Sequence, residues 1–272
     1  MLTKIVVIIT VIITTIMARI DMTDLHTHIL PQIDDGAKDV KMSLQLLAAQ
    51  QRVGVSQIVF TPHFHFERQN LDDFVQKRYE SAKKLAKTLS AYPNFRIGLK
   101  FGAEVRISPK VLECDQKQLC FQGTNVMLLE MPMNYRPQWD MNVLYQLTMA
   151  GVVPLIAHVE RYPYVKEDPN VVLEWIEAGA YIQVNAPSIV QDPGGRARVF
   201  EMMEHGMVHV IASDTHSPDK RPPLLREAFQ MVDGKFGSSH VKYYVKNANA
   251  LYAGVEPDVE EPRKVKKKFW RM

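Results

Sequence analysis

Nearly every short β-branched run in this chain ends on a residue that can bind a metal, and few folds accommodate that regularity. The runs lie at 20–25, 57–60, 96–102, 126–129, 152–157, 181–184 and 208–212. Amphipathic stretches at 43–52, 71–89, 139–149, 171–177, 197–204 and 223–232 fall between most of them. Strands alternating with helices predict an α/β fold with a parallel sheet and crossover helices. Gly54, Gly151, Gly179 and Gly206 each sit after a helical pattern and before a strand, where a left-handed cap is expected. Seven such units in about 230 residues predict a closed barrel over an open sheet.

The strand ends carry the chemistry. The first strand runs into Asp24-Leu25-His26-Thr27-His28 and the second into Thr61-Pro62-His63. The third ends at Glu104, the fourth at Glu130, the fifth at His158, the sixth at Asn185 and the seventh at Asp214-Thr215-His216. One stray histidine at a strand end is ordinarily a hydrogen-bonded rim residue. A ring of such residues at the C-terminal ends of parallel strands is where barrel enzymes build active sites. His26 and His28, two apart on an extended chain, face the same way, and Asp34-Asp35-Gly36 follows on the first loop. The candidate ligands are His26, His28, Asp35, His63, Glu104, Glu130, His158, Asp214 and His216. They are too many for one ion, and imidazole with carboxylate and no thiolate suits manganese, iron or zinc. Two or three adjacent ions are expected, the usual apparatus of phosphoester hydrolysis. His65 is read as a substrate-loop residue or a bystander, and His205, His209 and His240 as structural.

A phosphate substrate needs further positive charge. Arg161 follows His158 by three residues and Arg221 follows His216 by five, and a guanidinium fork matches phosphate oxygens bidentately. The plainer alternative is a surface salt bridge, to Glu160 or Asp219. A cysteine phosphatase is excluded: a Cys-x5-Arg loop needs arginine six residues after the thiol, where Cys114 has Cys120 and Cys120 has Val126. Two cysteines also cannot build a disulfide framework, which points to a reducing compartment.

The net charge of +3 comes from one end. Six of the 33 basic residues lie within the last ten positions, leaving 27 against 30 acidic ones in the rest, so no general nucleic-acid surface is expected. The chain divides into an apolar N-terminal extension (1–21), a catalytic domain (22–255) and a basic C-terminal tail (256–272). The apolar run at 5–17 is shorter than the ~20 residues that span a bilayer, and no cleavage motif follows it in Ile16-Met17-Ala18-Arg19. A misplaced translation start is the first reading, a membrane anchor the second and a cleaved signal the third. The tail is read as solvated, with weak adhesion to an anionic membrane as the alternative.

His26-Thr27-His28, Asp34-Asp35-Gly36, Thr61-Pro62-His63, Gly102-Ala103-Glu104, His158-Val159-Glu160-Arg161-Tyr162 and Ala212-Ser213-Asp214-Thr215-His216 follow the order of motifs in the polymerase and histidinol phosphatase (PHP) superfamily. Within it the chain resembles the bacterial tyrosine-protein phosphatases of capsular and exopolysaccharide operons, from about residue 23 to about residue 251, with Arg221-Pro222-Pro223 among the more specific points. Residues 1–21 and the basic extension lie outside that resemblance, and Glu130 stands where many superfamily members have histidine. The resemblance implies a distorted seven-stranded (β/α)7 TIM-like barrel with three metals, commonly manganese. By it, His26, His28, Glu104 and Asp214 hold the first metal, and Glu104 bridges to a second bound by Glu130 and His158. Asp35, His63 and His216 hold the third, while Arg161 and Arg221 grip the phosphate. A metal-bridging hydroxide would then hydrolyse phosphotyrosine directly. The implied partner is an autophosphorylated bacterial tyrosine kinase controlling polysaccharide synthesis, met in the cytoplasm or at the inner face of the membrane. The rival readings are a histidinol-phosphatase-like or other small-molecule phosphoesterase of the same fold, and an inactive kinase-binding scaffold.

Overall fold

The β-branched runs become parallel strands because each is short, apolar and followed by a segment able to return as a helix. The computed structural model describes residues 21–266. The readings placed on the apolar run at 5–17, and on the end of the basic tail with Phe269 and Trp270, lie outside the described residues. The order is β1 (Met22–Thr27), α1 (Val40–Arg52), β2 (Val55–Phe60), β3 (His63–Phe64), α2 (Leu71–Leu89), β4 (Gly98–Phe101), β5 (Glu104–Arg106), β6 (Val126–Glu130) and α3 (Asp140–Met149). It continues with β7 (Val153–Ile156), α4 (Pro163–Glu167), α5 (Val171–Glu177), β8 (Tyr181–Asn185), α6 (Ala186–Val190), α7 (Pro193–Glu204), β9 (Val210–Ala212), α8 (Leu225–Phe236) and α9 (Ser238–Ala253). Local capping agrees with this. Asp39 accepts from Met42 N at the start of α1, Asn70 caps α2, and all four glycines expected to close helices have positive φ. Among the described residues no helix is long and apolar enough to cross a membrane.

The strands do not close into the expected seven-stranded barrel. They form two parallel sheets, β1-β2-β4 and β3-β5-β6-β7-β8-β9. The break lies at Thr61-Pro62 and Gly102-Ala103, where β2 gives way to β3 and β4 to β5. Pro62 has no N–H to donate, so the ladder cannot run through it. The backbones stay in contact: Gly102 N donates to Phe60 O at 2.8 Å and Glu104 N to Pro62 O at 3.0 Å. At the other edge β9 and β1 share only the isolated Thr27–Thr215 bridge, with Asp214 N donating to His26 O and His28 N to Thr215 O, each at 2.9 Å.

Alternation along the strands sorts side chains into two apolar clusters. Leu25, Val59, Leu128, Leu155 and Val210 join a small one. Ile58, Met127, Leu129, Ile156 and Ile211 belong to the large one, which includes the buried faces of the helices. The small cluster bears on function because its rows continue into polar residues. Leu128 is followed two positions later by Glu130, Val210 by Ala212 and then Asp214, and Tyr181 by Gln183 and Asn185. The last helix, α9, adds Ala248 and Leu251 to this cluster.

The C-terminal segment is held to the fold as far as the described residues go. Arg263 N donates to His205 O, and Val265 N donates to Asn170 Oδ1 at 2.8 Å. The described part of the tail is thus tied to the fold through its backbone, while Arg263, Lys264 and Lys266 remain exposed to solvent.

Leu128 is fully buried in the small cluster beneath Glu130. Leu128→Ala should cost about 2–5 kcal/mol of stability, seen as a lower urea midpoint with an unchanged denaturant slope.

Candidate metal centre

All nine expected ligands converge at the C-terminal ends of the strands. They form three groups whose donor atoms lie within 4.8 Å of one another: His26, His28 and Asp214; Glu104, Glu130 and His158; and His28, Asp35, His63 and His216. One detail differs from the expected sets: His28 belongs to two groups. Glu104 falls with Glu130 and His158, and its second oxygen reaches the first group, as a residue shared between them would. His26, His28, Glu104, His158, Asp214 and His216 are buried, whereas the Asp35 side chain is 66% exposed, so the third group is the open one.

Glu104, at the start of β5, is the hub. Its Oε2 lies 3.2 Å from His26 Nε2, 3.2 Å from His28 Nε2 and 2.9 Å from His63 Nδ1. Its Oε1 lies 2.8 Å from His158 Nε2. Asp214 Oδ1 is 3.4 Å from His26 Nε2 and from His216 Nδ1, and His26 Nε2 approaches His28 Nε2 to 3.1 Å. Glu104 Oε2, Asp214 Oδ1 and His216 Nε2 are buried yet have no partner with hydrogen-bond geometry. Buried polar atoms are rarely left so. Lone pairs converging on common points, with no donor directed along them, fit divalent cations as the missing partner.

Neighbouring residues set which nitrogen each imidazole offers. Asp34 Oδ2 accepts from His28 Nδ1 at 2.7 Å, and Gln183 Oε1 takes His26 Nδ1 at 3.1 Å, so both rings turn Nε2 to the centre. Gln183 is itself fixed: Oε1 also accepts from His158 N at 3.1 Å, and Nε2 donates to Asn185 Oδ1 at 2.8 Å. With Nδ1 committed to Asp34, His28 has one nitrogen for either of its two groups. Asp24, buried below His26, accepts from Gln50 Nε2 and Ser213 N and ties β1 to the β9 end.

The backbone is strained at two ligands. His158 has φ 38° and Asp214 φ 51°. Left-handed backbone costs a residue with a Cβ about 1–2 kcal/mol, and strain of this kind gathers at functional sites. At both positions the chain turns sharply off a strand and swings a ligand into the centre. Gly36 solves a related problem on the first loop, where a Cβ would lie 2.0 Å from His28 O and 2.6 Å from His28 Cβ.

Arg161 and Arg221 lie on the open side and are paired neither with Glu160 nor with Asp219. Both reach Asp214 Oδ2, Arg161 Nη1 at 3.3 Å and Arg221 Nη2 at 2.5 Å, beside Asn185 Nδ2 at 2.7 Å. Glu160 is buried and accepts from Ser188 Oγ and Asn185 N. Arg106, not anticipated from the sequence, donates to Glu130 Oε2 at 2.9 Å. It stands two residues after Glu104 on β5, so the period of two could have found it, as it could Gln183 two before Asn185. His65 is in none of the three groups. His209 is structural as expected: Nδ1 accepts from Ile182 N at 2.9 Å, and burial pushes its pKa down to about 4. Burial raises both thiols, Cys120 to about 12, which leaves no reactive thiolate.

Charge is balanced tightly. Burial pushes the Asp214 carboxyl up, but His26, Arg221 and His28 outweigh it and hold it well below the usual range. Burial opposes charge on His28 and His63, yet Asp34 raises His28 to about 9, and Glu104 and Asp35 raise His63 to about 11. A raised pKa favours the protonated ring, so protons compete with an arriving cation. Manganese uptake should release protons and tighten as pH rises from about 6 to 9, measurable by titration calorimetry in buffers of different ionisation enthalpy. Gly36→Ala should displace His28 and weaken that uptake at least about tenfold, with far-ultraviolet circular dichroism unchanged.

The family described as "Capsular polysaccharide synthesis, CpsB/CapC" matches residues 22–253. The tyrosine-protein phosphatase YwqE of Bacillus subtilis is 30% identical over 251 residues, covering 91% of this chain and 98% of that protein. The tyrosine-protein phosphatase CpsB of Streptococcus pneumoniae is 31% identical over 261 residues, covering 90% and 98%. A solved structure from work on those two proteins, described as unique metal-dependent tyrosine phosphatases, superposes with a TM-score of 0.83 at 29% identity, covering 90% of this chain and 100% of that one. With its candidate metal-binding groups inside the matched span, the chain belongs to the CpsB/CapC family of capsular polysaccharide synthesis.

Proposed function

We propose that this protein is a metal-dependent protein-tyrosine phosphatase. The observation that carries the reading is the convergence of five imidazoles and four carboxylates with two arginines on their open side. The family and the names of its relatives supply the phosphotyrosine substrate.

His26, His28 and Asp214 would hold one cation, Glu104, Glu130 and His158 a second, and Asp35, His63 and His216 a third. Glu104 would serve both of the first two, since its oxygens face different groups. A set of imidazoles and carboxylates without thiolate suits manganese, iron or zinc, and manganese is the reading we adopt. Bound cations supply a nucleophile from water at neutral pH and neutralise charge on the phosphoryl oxygens. The chain's own residues do the rest. Asp34 and Gln183 hold His28 and His26 with Nε2 inward. Arg161 and Arg221, poised on Asp214, offer their remaining N–H groups to the phosphate, where charge builds in the transition state. A tyrosine phenolate with pKa ~10 is a good enough leaving group to need no dedicated acid. Glu160, a buried acid two residues past His158, is held at Asn185 and Ser188.

The two sheets are read as an unclosed, distorted relative of a seven-stranded barrel, with β2 and β3, and β4 and β5, each counted as one interrupted strand. The partner we propose is an autophosphorylated bacterial tyrosine kinase of capsule synthesis, in keeping with the family's role in capsular polysaccharide synthesis, met in the cytoplasm or at the inner face of the membrane.

The test is hydrolysis of a phosphotyrosine peptide with and without manganese, beside a phosphoserine peptide and histidinol phosphate. Manganese-stimulated, phosphotyrosine-preferring turnover is expected, and Arg221→Ala or Arg161→Ala should lower kcat by about 10²–10³-fold. Tight metal binding with no turnover of any ester would leave a binding scaffold. Preference for histidinol phosphate would move the enzyme to the small-molecule branch.

A further inference from the structure

The metal centre opens sideways into a cleft of about 630 Å³. Asp35, His216 and Arg221 form the part shared with the centre, and Lys38, Lys41 and Lys220 line the rest. The three lysines are exposed, and none is in an ion pair among the described residues. Of the two carboxylates beside them, Asp39 is engaged at the start of α1, where Oδ1 accepts from Met42 N at 2.8 Å, and Asp219 is exposed. Arg221 is paired with Asp214 and Asp35 belongs to the third ligand group, so outside the centre three lysines face these two carboxylates and positive charge is in slight excess.

The lysines are placed, not merely near. Lys220 N and Arg221 N both donate to Ser217 Oγ, at 3.2 and 3.1 Å, and His216 N donates to Arg221 O at 3.0 Å. This closed turn fixes Lys220 one residue from the arginine assigned to the phosphate. Lys38 and Lys41 flank the capping residue of α1, two and five positions past Gly36, whose contact with His28 anchors the loop. A phosphotyrosine reaching the centre leaves its neighbours in the substrate chain at the mouth of this cleft. Unpaired ammonium groups there attract carboxylates or phosphates and repel basic residues, by an interaction that salt screens.

We propose that this cleft is a subsite for anionic side chains beside the phosphotyrosine of a protein substrate, with Lys38, Lys41 and Lys220 as specificity-determining residues. The inference rests on the phosphatase reading above.

The test compares phosphotyrosine peptides flanked by glutamate, glutamine or lysine, and a glutamine-flanked peptide carrying a second phosphotyrosine. They are offered to the manganese-loaded full chain, to K38Q/K41Q/K220Q and to K38E/K41E/K220E. The full chain should favour glutamate over glutamine flanks about tenfold in kcat/KM, through KM. The preference should shrink in 1 M salt, where the Debye length is about 3 Å. It should vanish in the glutamine variant and turn towards lysine flanks in the glutamate variant, while para-nitrophenyl phosphate turnover stays unchanged in both. The doubly phosphorylated peptide outpacing the glutamate one would make phosphate the ligand, and the reverse would make it carboxylate. Equal handling of glutamate and glutamine flanks by the full chain, or a preference that survives in the glutamine variant, would overturn the subsite. If para-nitrophenyl phosphate is not hydrolysed at all, the phosphatase reading fails by itself. Fluorescence polarisation with phosphonate versions of the same peptides then decides the cleft: the same ordering supports it and equal binding overturns it.

Discussion

Glu104 sets the terms for the rest of the molecule. One buried carboxylate oxygen faces three imidazole nitrogens within 3.2 Å, and the other faces a fourth at 2.8 Å. Taking a carboxylate out of water is costly unless opposite charge and directed donors replace the solvent. The surrounding histidines supply that charge and hold Glu104 ionised against a burial that would protonate it. The same requirement explains the layer behind. Asp34, Gln183 and Asn185 are neither apolar filling nor ligands; each fixes the direction of a group that touches the centre. Removing one member of such a set leaves others buried and unpaired, so its energetics belong to the set.

The scaffold accepts local strain to build this set. β7 ends two residues before His158 and β9 two before Asp214, and at both ligands the chain turns through a left-handed conformation. The apolar rows of the small cluster bear this cost. Leu128 supports Glu130, Leu155 and Ala157 precede His158, and Val210 and Ala212 precede Asp214. The sheet is interrupted at Thr61-Pro62, next to His63. Departure from regular geometry is thus concentrated where the chemistry lies, while α1 and α2 keep ordinary side-chain caps at Asp39 and Asn70.

Much of this was legible in the residues, because strands and ligands announce themselves locally. The runs ending at His158 and Asp214 were readable from β-branching, and the ligands from their position just past each run. The barrel was not, because closure depends on ladder contacts between distant strands. One proline at position 62 and a single bridge at Thr27–Thr215 decide it. The helix Ser238–Ala253 was missed although Val241, Tyr244, Val245, Ala248 and Leu251 recur at helical spacing; its sequence has no acidic start signal and no side-chain cap. Arg106 and Gln183 were hidden because a polar residue inside a strand looks like a solvent-facing one until its row is known to point at a ligand. The two arginines near His158 and His216 were visible, but their common partner, Asp214, lies 53 and 7 residues away.

The central claim is that the nine donors are organised around cations, not around one another. Anomalous diffraction at the manganese absorption edge, from crystals grown with manganese, tests this directly. The account predicts three peaks, one within each group: beside His26 and Asp214, beside Glu130 and His158, and beside Asp35, His63 and His216. Full-occupancy peaks away from these side chains, or none within the cluster at saturating manganese, would contradict it.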